Sequence, residues 1–140
     1  MIDNFDGEYA FLSNFFPLPL EYNGIRYQNS EAAYQAQKTI DDTIMRRFAT
    51  LSPDAAKRMG RSVHLRLDWE QVKDDIMYHV CLCKFRQNPE YAQKLIATGD
   101  ETLVEGNTWG DTYWGVCDGV GKNMLGKTLM RIREELSGHV

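Results

Sequence analysis

In the stretch SEAAYQAQK, Glu31, Tyr34 and Lys38 stand at i, i+3 and i+7, a spacing that places all three on one face of a helix. The ordinary fate of such a Glu/Lys pair is a solvated helix face. Ala32, Ala33 and Ala36, however, cover only a thin core contact, so the face carrying Glu31 and Tyr34 is expected to point into a cleft. A second carboxylate, Asp111, lies between Trp109 and Trp114 with Tyr113 beside it. A carboxylate among large aromatics is costly to desolvate unless paired, and active sites use such placements. In their glycine-rich loop, Trp109 and Trp114 read equally as core or as stacking platforms. Trp69 falls on the apolar stripe of its own helix, where core is the default, although a first-turn position can also line a rim.

Other chemistries find less support. Cys81 and Cys83 are two positions apart on a helix, about 200° around its axis, and cannot share a metal. His64, His79 and His139 have no ligand-like spacing, and no G-x-S-x-G element is present. Metal-dependent and serine chemistry are therefore not expected, and no cofactor is implied. Residues 121–128, GKNMLGKT, fit the phosphate-loop pattern letter by letter. That chemistry needs a buried strand before the loop, whereas WGVCDGVG precedes it, and too little chain follows Thr128 for further strands. The leucine spacing also starts the helix before Gly126 and leaves Lys127 in solvent. An NTPase is rejected on these grounds; the weaker possibility of a phosphate held by exposed N–H groups at a helix start stays open.

The elements that must position these residues are mostly helical. LPLEYNGIRY alternates Leu18, Leu20 and Tyr22 with polar or proline positions, then Ile25 and Tyr27 after Asn23-Gly24, which predicts a β-hairpin with a type I′ turn. Asn29 or Ser30 caps a helix running through EAAYQAQK. Ser52-Pro53 starts a second that Gly60 ends. Asp68, with Gln71 three residues on, caps a third whose stripe is Trp69, Val72, Ile76, Val80 and Cys83. Asn88-Pro89 starts a fourth, ended by Gly99, and a last helix begins near Asn123 with Leu125, Leu129, Ile132 and Leu136 on one face. Between the last two lies VEGNTWGDTYWGVCDGVGK, too aromatic for a linker and the best local candidate for a site.

The chain has 140 residues with 16 Lys+Arg against 20 Asp+Glu, a net charge of −4. This suits one globular domain and argues against non-specific duplex binding, which needs a basic face. MIDNFDGEYAF carries no basic region followed by an apolar core, and no apolar run nears the ~20 residues that span a bilayer. Three cysteines read as reduced thiols, so a cytoplasmic location without membrane association is expected.

Taken together, FLSNFFP, YQNSEAAYQAQK, SPDAAKRMGR, DWEQVKDDIM, KFRQNPE, LVEGNTWGDTYWG and GKNMLGKTLMRIREEL resemble the NADAR (YbiA-like) family, in family order from about residue 9 to residue 136. The resemblance implies a compact, mainly helical α+β domain. It also implies an enzyme that cleaves N-glycosidic bonds to ribose, either in phosphorylated ribosylamino-pyrimidine intermediates of riboflavin synthesis or in ADP-ribosylated nucleobases, with a nucleotide, an ADP-ribosyl group or ADP-ribosylated nucleic acid as partner. Functional residues carry over onto Glu31, Trp69, Asp111 and Trp114, with Asn14, Lys38, Gly115 and Asn123 in support. Val116-Cys117 departs from the small or polar residues of many relatives. By analogy with glycoside hydrolysis, Glu31 and Asp111 divide the work on the ribose cation and the leaving group. Tyr34, Trp69 and Trp114 then line the substrate. Lys38 binds phosphate as a point charge or, if desolvated, attacks C1 to form an imine. The alternative class is a non-catalytic module that binds ADP-ribose or NAD.

Overall fold

A computed structural model describes residues 1–138; the histidine at position 139 lies outside them. The chain is α+β and mainly helical, and it divides into two compact units, residues 14–87 and residues 1–13 with 88 onward.

In the unit Asn14–Gln87, β1 (Leu20–Tyr22) pairs antiparallel with β2 (Ile25–Tyr27), Tyr22 opposite Ile25. Asn23 and Gly24 take φ of 49° and 83°, the two positive angles of the type I′ turn that Asn-Gly predicts. Leu20, Ile25 and Tyr27 are buried, while Glu21 and Arg26 face solvent.

The helix α1 (Ser30–Ala36) follows, and Asn29 caps it: its Oδ1 accepts the N–H of Ala32 at 2.7 Å. Two expectations fail here. The helix stops two residues short of Lys38: the N–H groups of Gln37 and Lys38 turn to the carbonyls of Tyr34 and Gln35, three residues back, and the Lys38 carbonyl accepts the Arg66 N–H at 2.8 Å. Nor does α1 turn a face to an open cleft, since all its residues are buried, Glu31 and Tyr34 included. A short α2 (Asp42–Arg47) was not foreseen. Its capping signal is present, with Asp41 Oδ1 accepting from Thr43 and Ile44, but it buries no residue and so shows no apolar stripe.

Ser52 caps α3 (Pro53–Gly60) as expected, its Oγ accepting the Ala55 N–H at 3.2 Å. This helix packs on α1 through small residues, Ala32, Ala33, Ala36, Ala56 and Gly60 being buried. The long α4 (Trp69–Arg86) starts after Asp68 as predicted but departs from its predicted cap and face. The Asp68 carboxylate does not cap it but pairs with Arg66, at 2.6 Å from Nε and 3.1 Å from Nη2. Val72, Ile76 and Cys83 are only half-buried; Met77, Cys81, Lys84 and Phe85 are buried instead. A hydrophobicity pattern does not foresee a buried lysine, although Lys84 stands four residues after Val80, at the edge of the predicted stripe.

In the other unit a 3-10 helix (Gly7–Leu12) is followed, after residue 88, by α5 (Pro89–Ala97), with Gly99 at φ 63° past its end. Two-residue strands β3 (Gly106–Asn107) and β4 (Val116–Cys117) pair in parallel. The chain closes with α6 (Met124–Leu136), which packs on α5 and buries Leu125, Leu129 and Ile132; Leu136 is half-buried. The N-terminal strand of chain is held by Ile2, which donates to Thr102 and accepts from Val104 at 2.8 Å each.

Asn29 is 2% exposed and also donates Nδ2 to the Leu51 carbonyl at 3.0 Å. Asn29→Ala should therefore remove a cap and orphan a carbonyl, together about 2–4 kcal/mol. The urea midpoint should fall at unchanged slope. A loss below about 0.5 kcal/mol would mean that water replaces both bonds.

Candidate functional site

Within residues 14–87 the structure brings together Asn14, Glu31, Tyr34, Lys38 and Trp69. Asn14 ties the first turn of α1 to α4. Its Oδ1 accepts from Ser30 Oγ at 2.8 Å and from the Cys81 thiol at 3.7 Å, and its Nδ2 meets the Met77 sulfur at 3.3 Å. Its backbone carbonyl accepts the Glu31 N–H at 3.1 Å. Asn14 thus fixes the backbone that carries Glu31. Burial pushes the Cys81 thiol up to about 12, so it stays a neutral, unreactive donor.

The Glu31 carboxylate is buried and accepts Gln35 Nε2 at 2.7 Å. One turn along, the Tyr34 ring packs on Trp69, centroids 5.3 Å apart and planes tilted by 55°. Trp69 is buried, but its neighbours are these polar aromatics and not the apolar core alone. Lys38 Nζ lies 5.8 Å from the Trp69 ring centroid, within cation–π range. Burial lowers the Lys38 pKa from its ordinary value, and the charges of Arg61 and Lys57 lower it further, against the pull of Glu31. The neighbouring carboxylate does not prevail, because desolvation acts on the ammonium most strongly. Gln35, Lys57 and Arg61 were absent from the sequence reading. Gln35 could have been found, since it stands at i+4 from Glu31.

Within the other unit Asp111, Trp114, Gly115 and Asn123 organise one loop. Asp111 is half-buried, and its Oδ1 accepts the N–H groups of Tyr113 at 3.1 Å and Trp114 at 2.9 Å. Asn107 brackets the same residue, taking its N–H at 3.0 Å and giving Nδ2 to its carbonyl at 2.8 Å. This carboxylate folds its own loop, where aromatic surroundings had suggested desolvation. Trp114 stands edge-on to Tyr113, centroids 4.9 Å apart, whereas Trp109 is 62% exposed and is not core. A Cβ at Gly115 would collide with the side chain and backbone of Glu105, which explains glycine there. Asn123 adopts a left-handed φ of 55° and pins the loop, Oδ1 accepting from Glu105 N and Nδ2 donating to the Leu103 carbonyl.

The carbonyls of Tyr113, Trp114 and Gly115 accept the N–H groups of Met124, Leu125 and Asn123 at 2.9–3.3 Å. The start of α6 has therefore spent these donors on protein, which corrects the reading of GKNMLGKT as a phosphate cradle. Lys127 is exposed, one turn into the helix, as expected. Among the described residues no three His, Cys, Asp or Glu side chains group as metal ligands, and no helix is long and apolar enough to cross a membrane.

The NADAR domain family model matches residues 3–137. N-glycosidase YbiA of Escherichia coli (strain K12) is 40% identical over 134 residues, covering 93% of this chain and 83% of that protein. N-glycosidase Npun_R5314 of Nostoc punctiforme is 38% identical, covering 91% and 86%. Riboflavin biosynthesis protein VVA0006 of Vibrio vulnificus is 38% identical over 96% of this chain but only 37% of its own length. The NMR structure of the E. coli protein YbiA superposes with a TM-score of 0.85 at 38% identity, over 99% of this chain and 88% of that one. The chain belongs to the NADAR domain family.

Asp111→Ala should lose two turn hydrogen bonds and about 1–3 kcal/mol of stability, while Asp111→Asn, which keeps Oδ1, should melt close to the parent. Equal losses in both would show that charge, not the acceptor, holds the turn.

Proposed function

We propose that the bond this N-glycosidase breaks joins ribose C1 to the exocyclic nitrogen of a phosphorylated ribosylamino-pyrimidine. The observation that carries this reading is the group of buried Glu31, Gln35 and Trp69 with half-buried Lys38, an acid and an amine beside an aromatic plate. The similarity to a riboflavin biosynthesis protein of Vibrio vulnificus supports the pyrimidine branch. An ADP-ribosylated nucleobase is the second substrate class, since it presents the same C1–N bond.

Cleavage builds positive charge on the ribose and electron density on the departing nitrogen. Lys38 is assigned the nucleophile, because burial and the two flanking cations favour its neutral amine. Its Nζ attacks C1, and the C1–N bond breaks with its electron pair passing to the nitrogen. Glu31 takes a proton from Nζ and delivers it to that nitrogen. The ribosyl-lysine opens to an imine, water adds, and the sugar leaves with the amine restored. Trp69 and Tyr34 are the plates for base or ribose, Lys57 and Arg61 the positive edge for a phosphate. Within its own unit Trp114, held in its loop by Asp111, Gly115 and Asn123, is proposed for a substrate contact, while Asn14 supports Glu31. Asp111 retains a proposed part in proton transfer through its Oδ2. Three free cysteines support a reducing compartment, and we place the protein in the cytoplasm.

Mass spectrometry of a panel containing the aminopyrimidine ribotides, ADP-ribosylated guanosine, NAD and ADP-ribose should show cleavage of the ribotide. Glu31→Gln should bind it and turn over at least about 10² times more slowly. Tight binding of one ligand with no cleavage of any would establish the non-catalytic module instead.

Borohydride added during turnover should leave a ribose-derived mass on Lys38, and none in Lys38→Met. Absence of that adduct with a productive substrate, alongside a raised KM in Lys38→Met, would return the residue to phosphate binding.

A further inference from the structure

Glu31 and Gln35 lie one turn apart on α1 and are 9% and 6% exposed. Gln35 Nε2 donates to Glu31 Oε2 at 2.7 Å, but the other amide atom, Oε1, is buried without a hydrogen-bond partner. A buried carbonyl left unpaired is costly, so the amide is held in place for what its nitrogen does. Turned over, it would set Oε1 against the carboxylate, two acceptors facing each other. Its present orientation therefore suits an ionised Glu31, whereas a protonated one would suit the reverse. The wall behind the amide comes from α3: a Cβ on Gly60 would collide with Gln35 Oε1 and stand 2.8 Å from Cδ.

We propose that Gln35 is a positioning residue for this N-glycosidase, holding Glu31 ionised and aimed, and that position 60 is glycine to admit its amide. The proposal rests on the reading of Glu31 as the proton carrier. A proton carrier that begins as a base must start ionised in a buried site, where desolvation opposes it. The groups facing Glu31 do not supply that hold equally. Cys81 on α4 is neutral, Lys84 beside it and Lys38 are both pulled toward their neutral forms by burial, and Lys57 on α3 and Arg61 just past its end act on Lys38. The amide donates to the carboxylate directly and keeps its polarity at every pH.

Carbon-13 NMR of the Glu31 carboxyl in the full chain tests this without any substrate. In Gln35→Met, near in size but unable to donate, its titration midpoint should rise by about one pH unit, the equivalent of one charged hydrogen bond. Gly60→Ala should move it the same way by displacing the amide. In the parent protein the Gln35 side-chain amide protons should titrate with the Glu31 midpoint, a readout available even if both variants fail to fold. A merely structural glutamine would lower the melting temperature and leave that midpoint alone. An unmoved midpoint in folded Gln35→Met, or amide protons flat through the Glu31 titration, overturns the proposal. With the ribotide, the acid limb of kcat/KM should shift by the same unit. Should the NMR results hold while Glu31→Gln keeps full turnover, Glu31 is not the proton carrier, and Gln35 loses its part in the reaction while the bond between the two stands.

Discussion

Burial of α1 on every side is the constraint on which the unit of residues 14–87 depends. A helix with no solvent face must settle nearly all its polar groups internally, Gln35 Oε1 being left unpaired, because an unpaired group costs as much as a favourable contact gains. Asn29 settles the helix start, Ser30 goes to Asn14, and Glu31 takes the amide of Gln35. The alanines between them let α3 approach until Gly60 meets that amide. Geometry around the carboxylate is thus a by-product of close packing: the same small residues that admit α3 leave the acid with a fixed neighbour.

The loop of residues 105–123 solves a different problem. It is glycine-rich and largely irregular, so its order comes from side chains acting as backbone partners. Asp111 and Asn107 bracket each other's segment, and Asn123 holds Leu103 and Glu105. Consecutive carbonyls then receive the first donors of α6. A helix start usually leaves four donors for solvent or an anion. Here the chain supplies its own acceptors, which is why a pattern that matches a phosphate loop in letters differs from it in chemistry.

Much of this is legible in the amino-acid sequence. Asn23-Gly24, Ser52-Pro53 and the leucines of α6 act locally, and local signals survive folding. Glu31, Tyr34, Lys38 and Trp69 were singled out by spacing or resemblance, and the structure gathers them in one unit. What stayed hidden depends on partners remote in sequence. Arg66 claims both the Lys38 carbonyl, just past the end of α1, and the Asp68 carboxylate, removing its cap. The buried face of α4 rotates toward Met77 and Cys81, which meet Asn14, a residue more than sixty positions away. Gln35 was overlooked because a glutamine in an alanine-rich helix carries no signal until Gly60 is known to press on it.

At 7 residues, α1 is well below the length at which an isolated helix holds together in water. It cannot form ahead of the packing that surrounds it, so the carboxylate, its amide and the half-buried amine share one fate with the fold of residues 14–87. A state in which that unit has unfolded does not retain the acid–amine pair. A molecule that recognises that pair binds only the native chain, and its whole affinity is added to the stability of the protein, as RT ln(1 + [L]/Kd). Thermal shift thereby reports occupancy of this helix directly, with no silent background from an ensemble that keeps the site but has lost the fold.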